Sequence, residues 1–298
     1  MSAGAFSLDP AQVRRAFERA ARAGENPAVL EREVEQRMLE RLDFIRSDPK
    51  HILDAGCGAG RGLQKLHRRY PKASLLGVDL ATGSPSGSRT LRERVRGLLP
   101  GPARARLCAD FSRLPLRAGS VDMVWSNLAL AWAADPRSAL REFHRVLAVG
   151  GLLMFSSYGP DTLRELRSPF QAVSKGRHVH AFVDMHDLGD MLIASGFAAP
   201  VMDMEMITLT YRDVAALARD LKASGQTCAA RDRPRGLMGR DRWQRVLAVY
   251  ERERRDGKLP ATVEVVYGHA WKGEPRTASD GRRIVKVELR TKIASRTP

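Results

Sequence analysis

Between residues 51 and 157 short apolar runs alternate with helical stretches, and this rhythm leaves few architectures open. Residues 51–53, 74–80, 104–108, 121–126 and 152–157 read as strands. Residues 61–69 and 136–147 read as helices, the second carrying Leu140, Phe143 and Leu147 on one face. Strands separated by helices of this length form βαβ units. The spacing therefore predicts an α/β fold with a mostly parallel sheet covered on both faces.

Flanking segments extend this core. Residues 10–45 are helical in pattern, with Val13, Phe17, Ala20 and Ala21 at helical spacing, then Leu30, Val34, Met38 and Leu42. Asp9-Pro10 is a helix start, and Glu25-Asn26-Pro27 divides the run in two. After Gly159-Pro160 the rhythm loosens. Residues 185–194 read as a helix, 201–209 as a strand, 212–224 and 240–255 as helices, and 262–270 as a last strand. The stretch 212–256 is too long for a plain loop, so it is expected to be a helical insertion. The expected organisation is an N-terminal helical lid (1–45), a main domain (46–274) with that insertion, and a C-terminal tail (275–298). The tail holds seven basic and two acidic residues, and forms either one strand through Val285, Val287 and Leu289 or a frayed end.

A loop, Asp54-Ala55-Gly56-Cys57-Gly58-Ala59-Gly60, joins the first strand to the first core helix. Glycines there permit a tight turn and close approach of a ligand to the backbone. A phosphate-cradling loop would need Gly-Lys-Ser or Gly-Lys-Thr at its end, and none follows. The dinucleotide pattern G-x-G-x-x-G fails because Arg61 fills its sixth place. The loop instead resembles motif I of Rossmann-like S-adenosylmethionine methyltransferases. That resemblance implies a cofactor held by the backbone of Gly56, Cys57, Gly58 and Gly60. Three acids fall at successive carboxyl ends of the strands, where such sheets bind ligands. Asp54 faces the amino-acid end of the cofactor. Asp79, with Leu80 beside it, accepts from the ribose diol. Asp110 accepts from the adenine amino group, with Phe111 against the ring. Asn127, after the fourth strand, stands near the transferred methyl, or caps a helix.

Longer stretches carry a more specific resemblance. DFSRLPLRAGSVDMVWSNLALAW, REFHRVLAVGGLLMFSSYGPDTLRELR, HVHAFVDMHDLGDMLIASGFAAPVMD, TLTYRDVAALARDLKASG and GKLPATVEVVYGHAW resemble the malonyl-acyl-carrier-protein O-methyltransferases of biotin synthesis, the BioC family. The resemblance runs from about Val13 to Trp271. It implies a class I methyltransferase sheet whose last strand is antiparallel, and methyl transfer to the free carboxylate of a malonyl thioester on acyl carrier protein. A carboxylate is ionised near neutral pH, so no general base is expected. An Arg suits bidentate binding of that carboxylate, and Arg164, Arg167 and Arg177 are the candidates. Two segments depart from the family. Arg22-Ala23-Gly24-Glu25 lacks the usual Tyr, and ATGSPSGSRTL after Leu80 is rich in Gly, Ser and Pro.

Composition bounds the partners. Lys and Arg number 50 against 34 acids, a net charge of +16. Such a field favours an anionic partner, either an acidic protein or nucleic acid, although 41 of the basic residues are Arg, as a GC-rich genome would encode. Aromatics make up 6%, few stacking platforms for RNA, so nucleic acid is not expected as a partner. Methylation of another substrate such as RNA, or a non-methylating relative resembling the complex I assembly hydroxylase, stays open as an alternative. Cys57, Cys108 and Cys228 form no C-x-x-C pair. His178, His180 and His186, with Asp184 and Asp187, lack a clear ligand set, so no metal is expected. No apolar run spans a bilayer and no signal peptide is evident, so a cytoplasmic location without membrane contact is expected.

Overall fold

The computed structural model describes residues 7–23, 29–81 and 104–274. Residues 82–103 with their Gly-Ser-Pro run, the break at residues 24–28 and the basic tail lie outside the described residues. Seven strands form one sheet: β1 (His51–Ala55), β2 (Ser74–Asp79), β3 (Arg104–Cys108), β4 (Val121–Ser126), β5 (Leu147–Tyr158), β6 (Phe197–Tyr211) and β7 (Leu259–Lys272). Their order is β3-β2-β1-β4-β5-β7-β6. The pairs β3-β2, β2-β1, β1-β4 and β4-β5 are parallel, and β7 runs antiparallel to both β5 and β6. The order reverses between β1 and β4, which opens a crevice at the carboxyl ends of those strands.

Burial on both faces explains the apolar runs in β1, β4 and β5. On one face Ile52, Met123, Trp125, Leu152 and Met154 pack under α2 (Val29–Arg41) and α3 (Arg61–Arg69). On the other Leu53, Val124 and Leu153 pack on α4 (Pro136–Val146), and Leu188 and Leu192 bring in α6 (Met185–Ala194). Leu30, Val34 and Met38 recur every fourth residue of α2, and all three are buried. α1 (Pro10–Ala23) buries Val13, Ala16 and Ala20. Asp135 caps α4, accepting from Arg137 N at 3.0 Å ahead of Pro136 in the first turn. Asp135→Ala is expected to lower stability by about 1 kcal/mol. A urea titration reads this as a lower midpoint with an unchanged slope.

Several elements differ from the sequence expectation. β1 continues to Ala55, because Asp54 still pairs with Gly77 and Trp125. Leu147, expected to end a helix, opens β5 opposite Val121, and a register shift then lies between Val121 and Met123. β6 is longer at both ends, since pairing with β7 runs from Phe197 to Tyr211 with a register shift between Ala198 and Val201. A helix without a predicted counterpart, α5 (Arg164–Val173), contains Pro169, which obscures its pattern. The insertion supplies α7 (Val214–Ala223) and α8 (Arg240–Tyr250). Its loop is tied to the N-terminus: Asp9 N donates to Ala229 O at 2.8 Å and Arg233 pairs with Asp9 at 3.1 Å. No helix among the described residues is long and apolar enough to cross a membrane.

Candidate active site

A cavity of about 400 Å³ opens at the switch point between β1 and β4. Its floor is the glycine bend. Gly56, Gly58 and Gly60 have φ of 85°, 50° and 80°, the left-handed region that suits glycine. A Cβ on Gly56 would stand 2.1 Å from the Cβ of Ala129. Gly56 N and Cys57 N donate to Val78 O at 2.7 and 3.1 Å, which joins the bend to β2. Asp79 fastens the bend further, accepting from Gly58 N and Ala81 N at 2.8 Å each. Burial pushes its carboxyl up, opposed by these two amides. Gly60 closes the turn through Gly60 N to Cys57 O at 2.8 Å, and stands behind the wall rather than in it.

The described acids do not share one environment. Asp54 lines the cavity at 3% exposure, with no hydrogen bond or ion pair to its carboxylate among the described residues. Burial raises its pKa well above the ordinary value, and Glu35 and Asp79 add to this. Asp110 turns away, accepting from Ser112 N at 2.8 Å, whereas Phe111 and Leu80 line the cavity. Cys57 is buried, and its thiol is pushed up to about 12, so it stays protonated.

Asn127 is held from two sides. Its Nδ2 donates to Glu31 O on α2 at 2.9 Å, and its Oδ1 accepts from Ser156 Oγ at 2.9 Å. Ser156 Oγ in turn accepts from Leu128 N at 2.9 Å. That amide belongs to a non-glycine residue at φ 54°, a strained conformation of the kind that clusters at functional sites. Asn127 therefore latches the N-terminal helices to the tips of β4 and β5.

None of the three arginines nominated for the acceptor carboxylate lines this cavity. Arg164 pairs with Asp161 at 3.4 Å and Glu165 at 3.5 Å. Arg167 donates to Thr162 O and His180 O, and Arg177 pairs with Asp232 at 3.3 Å. The loop after β5 turns away into α5, which carries Arg164 and Arg167 with it. The wall holds Arg32, Arg61 and Arg106 instead, and Arg106 donates to Gly58 O at 2.5 Å. Sequence reading also passed over Glu31, Glu35, Trp125, Tyr158 and Gln226, which reach the wall from α2, β4, β5 and the insertion. Glu31 and Glu35 lie among other charges in α2 and Gln226 follows Ser224-Gly225, so their sequence context gives no signal for the site. The three histidines diverge. His178 stacks on Phe170 at 4.2 Å, His180 is buried with its pKa lowered to about 4, and His186 faces Asp184.

Residues 53–155 match the model of a methyltransferase domain. The malonyl-[acyl-carrier protein] O-methyltransferase of Gallionella capsiferriformans is 50% identical over 96% of this chain and 99% of its own. That of Laribacter hongkongensis is 52% identical over 95% and 97%. The chain belongs to the malonyl-[acyl-carrier protein] O-methyltransferase family. Among solved structures, the YcgJ protein from Bacillus is similar in fold, with a TM-score of 0.54 at 16% identity, covering 82% of this chain and all of that one.

The cofactor of this methyltransferase is S-adenosylmethionine. The site fits it: a floor without room for a Cβ at Gly56, and a buried carboxylate at Asp54, without a partner among the described residues, to face a cation. Among the described residues no group of three or more His, Cys, Asp or Glu is arranged to hold a metal ion.

Proposed function

We propose that the chain transfers a methyl group from S-adenosylmethionine to the free carboxylate of a malonyl thioester on acyl carrier protein, in the cytoplasm, as an early step toward the pimeloyl chain of biotin. The observation that carries this reading is half-identity, across nearly the whole length, to relatives that bear that name.

The cavity suits the chemistry. S-adenosylmethionine supplies an electrophilic methyl on a positive sulfur. The malonyl oxygen forms the new C–O bond as the C–S bond breaks, and the opposite charges neutralise. No proton moves, which agrees with a wall whose Cys57 and Tyr158 both stay protonated. The chain's task is then to orient the carboxylate and exclude water from it. We propose that Asp54, Asp79, Leu80, Phe111 and the glycine bend hold the cofactor, with Asn127 at the methyl. Residues 1–45 and the insertion 212–256 form the lid in this reading. Val13, Phe17, Ala20 and Ala21 come from the first, Ser224 and Gln226 from the second, and all six line the cavity. Glu31, Tyr158, Ser224 and Gln226 border both this cavity and a small neighbouring chamber, which supports an acceptor at that end. Arg32, Arg61 and Arg106 are the cations of the wall, and the net charge of +16 suits an acidic carrier. The charge of +16 would serve RNA equally, but aromatic residues at 6% offer few stacking surfaces, and we do not propose a nucleic-acid substrate.

Genetic rescue reads activity and substrate together. Expression in a biotin-requiring bacterium that lacks its own malonyl carrier methyltransferase is expected to restore growth without biotin. A folded, expressed chain that leaves the strain dependent on biotin would refute the proposed substrate.

A further inference from the structure

Glu35 sits on the inner side of α2, 6% exposed, and lines the cavity. Its Oε2 pairs with Lys65 Nζ at 2.8 Å. Its Oε1 converges with Asp54 Oδ2 above Gly62, where an added Cβ would lie 2.7 Å from the first oxygen and 3.0 Å from the second. The absence of a side chain at residue 62 lets a carboxylate from the lid helix reach a carboxylate from β1. Lys65 pairs with Glu35, and Arg106 acts on Asp54 without a hydrogen bond to it among the described residues. Asp54, buried and without a hydrogen-bond or ion-pair partner among the described residues, faces into the cavity beside Glu35. Burial, Glu35 and Asp79 together raise the Asp54 pKa, so a charged Asp54 beside Glu35 is unfavourable until a ligand brings a further cation between them.

We propose that Glu35 is a cofactor-binding residue: with Asp54 it forms a two-carboxylate seat for the α-ammonium group at the amino-acid end of S-adenosylmethionine, so that a bound cofactor ties helix α2 to the tip of β1. The inference rests on S-adenosylmethionine as the cofactor and adds a residue from the lid to its site. Asn127 already holds α2 through Glu31 O, and the ammonium provides a further attachment one turn along the helix. The other charges around the seat are Asp79 and Arg106 beside Asp54, with Arg32 and Arg61 elsewhere on the wall. In the free chain Glu35 helps to push the Asp54 carboxyl up, and a cation between them reverses that push.

Calorimetry with two ligands tests this without reference to activity. S-adenosylhomocysteine carries the ammonium, and 5′-methylthioadenosine shares the nucleoside but lacks the amino-acid end. Glu35→Gln is expected to bind the first roughly tenfold more weakly, with the second changed less than about twofold. Lys65→Gln removes the internal pair and keeps the carboxylate, and is expected to hold S-adenosylhomocysteine no more weakly than the native chain. Hydrogen exchange supplies a second readout. S-adenosylhomocysteine slows exchange along residues 29–41 in the native chain, and not in Glu35→Gln. Equal weakening for both ligands, or weakening by Lys65→Gln to match Glu35→Gln, would make Glu35 a structural residue and overturn the proposal. So would unchanged affinity in Glu35→Gln. A native chain that binds neither ligand would instead remove the cofactor reading itself.

Discussion

Gly56→Ala yields a chain that binds no S-adenosylmethionine and unfolds at a markedly lower urea concentration. Two effects add at this position. The φ of 85° is costly for an L side chain, at about 1–2 kcal/mol. The new methyl would also stand 2.1 Å from Ala129 Cβ, far inside the carbon–carbon contact distance. Ala129 cannot readily withdraw. It follows Leu128, which is buried and whose amide is fixed to Ser156 Oγ. Overpacking of this kind costs about 1–3 kcal/mol more. The sum, about 2–5 kcal/mol, is a large part of the stability of an ordinary domain. Gly58→Ala is the control, because its φ is 50° but nothing lies within 4 Å of the added Cβ. It is expected to lose only the conformational part, about 1 kcal/mol. Equal losses in the two variants would show that the Ala129 contact is relieved by movement of the bend.

Asp54→Asn is expected to do the opposite to stability while also weakening cofactor binding. The carboxylate is buried with no hydrogen bond or ion pair among the described residues, and it faces Glu35. Burial first, then Glu35 and Asp79, raise its pKa well above the ordinary aspartate value. An acid so raised favours the folded chain while protonated, and that stability is lost as pH rises through the folded pKa. Above that pH the charged form is a burden, which the neutral amide lifts. The free variant is therefore expected to melt about 2–6 °C above the native chain at pH 8. The gain should shrink as pH falls toward the ordinary carboxylate range. Affinity for S-adenosylhomocysteine should fall on the order of a hundredfold, since a charge-assisted contact is lost. Thermal melts with and without that ligand at two pH values read both effects, because only a chain that binds the ligand is stabilised by it. A variant that melts lower at pH 8 would mean that Asp54 has a partner.

The sheet was legible because parallel strands buried on both faces write continuous apolar runs, and the glycines after Asp54 mark where the first run ends. The bend's exclusion of a P-loop or dinucleotide site was legible letter by letter. Leu147 continues the apolar period of Leu140 and Phe143, which reads as helix, whereas the strand beginning there is set by pairing with Val121. α5 was invisible because Pro169 sits within it. Glu31, Glu35 and Gln226 could not be read as wall residues, since their place depends on how the N-terminal helices and the insertion close over the sheet. The same closure decides against Arg164, Arg167 and Arg177 as wall residues. Their sequence position just past β5 suggested the mouth, but the chain turns each toward its own carboxylates or carbonyls.

The reaction proposed for this cavity is esterification of a malonyl carboxylate. The most direct measurement incubates the purified chain with methyl-labelled S-adenosylmethionine and malonyl acyl carrier protein, then treats the product with mild alkali. The expected result is label on the carrier that alkali releases, present with the malonyl carrier and absent with the acetyl carrier, which has no free carboxylate. No transfer to the malonyl carrier by a chain that binds S-adenosylhomocysteine, or equal transfer to both carriers, would contradict it.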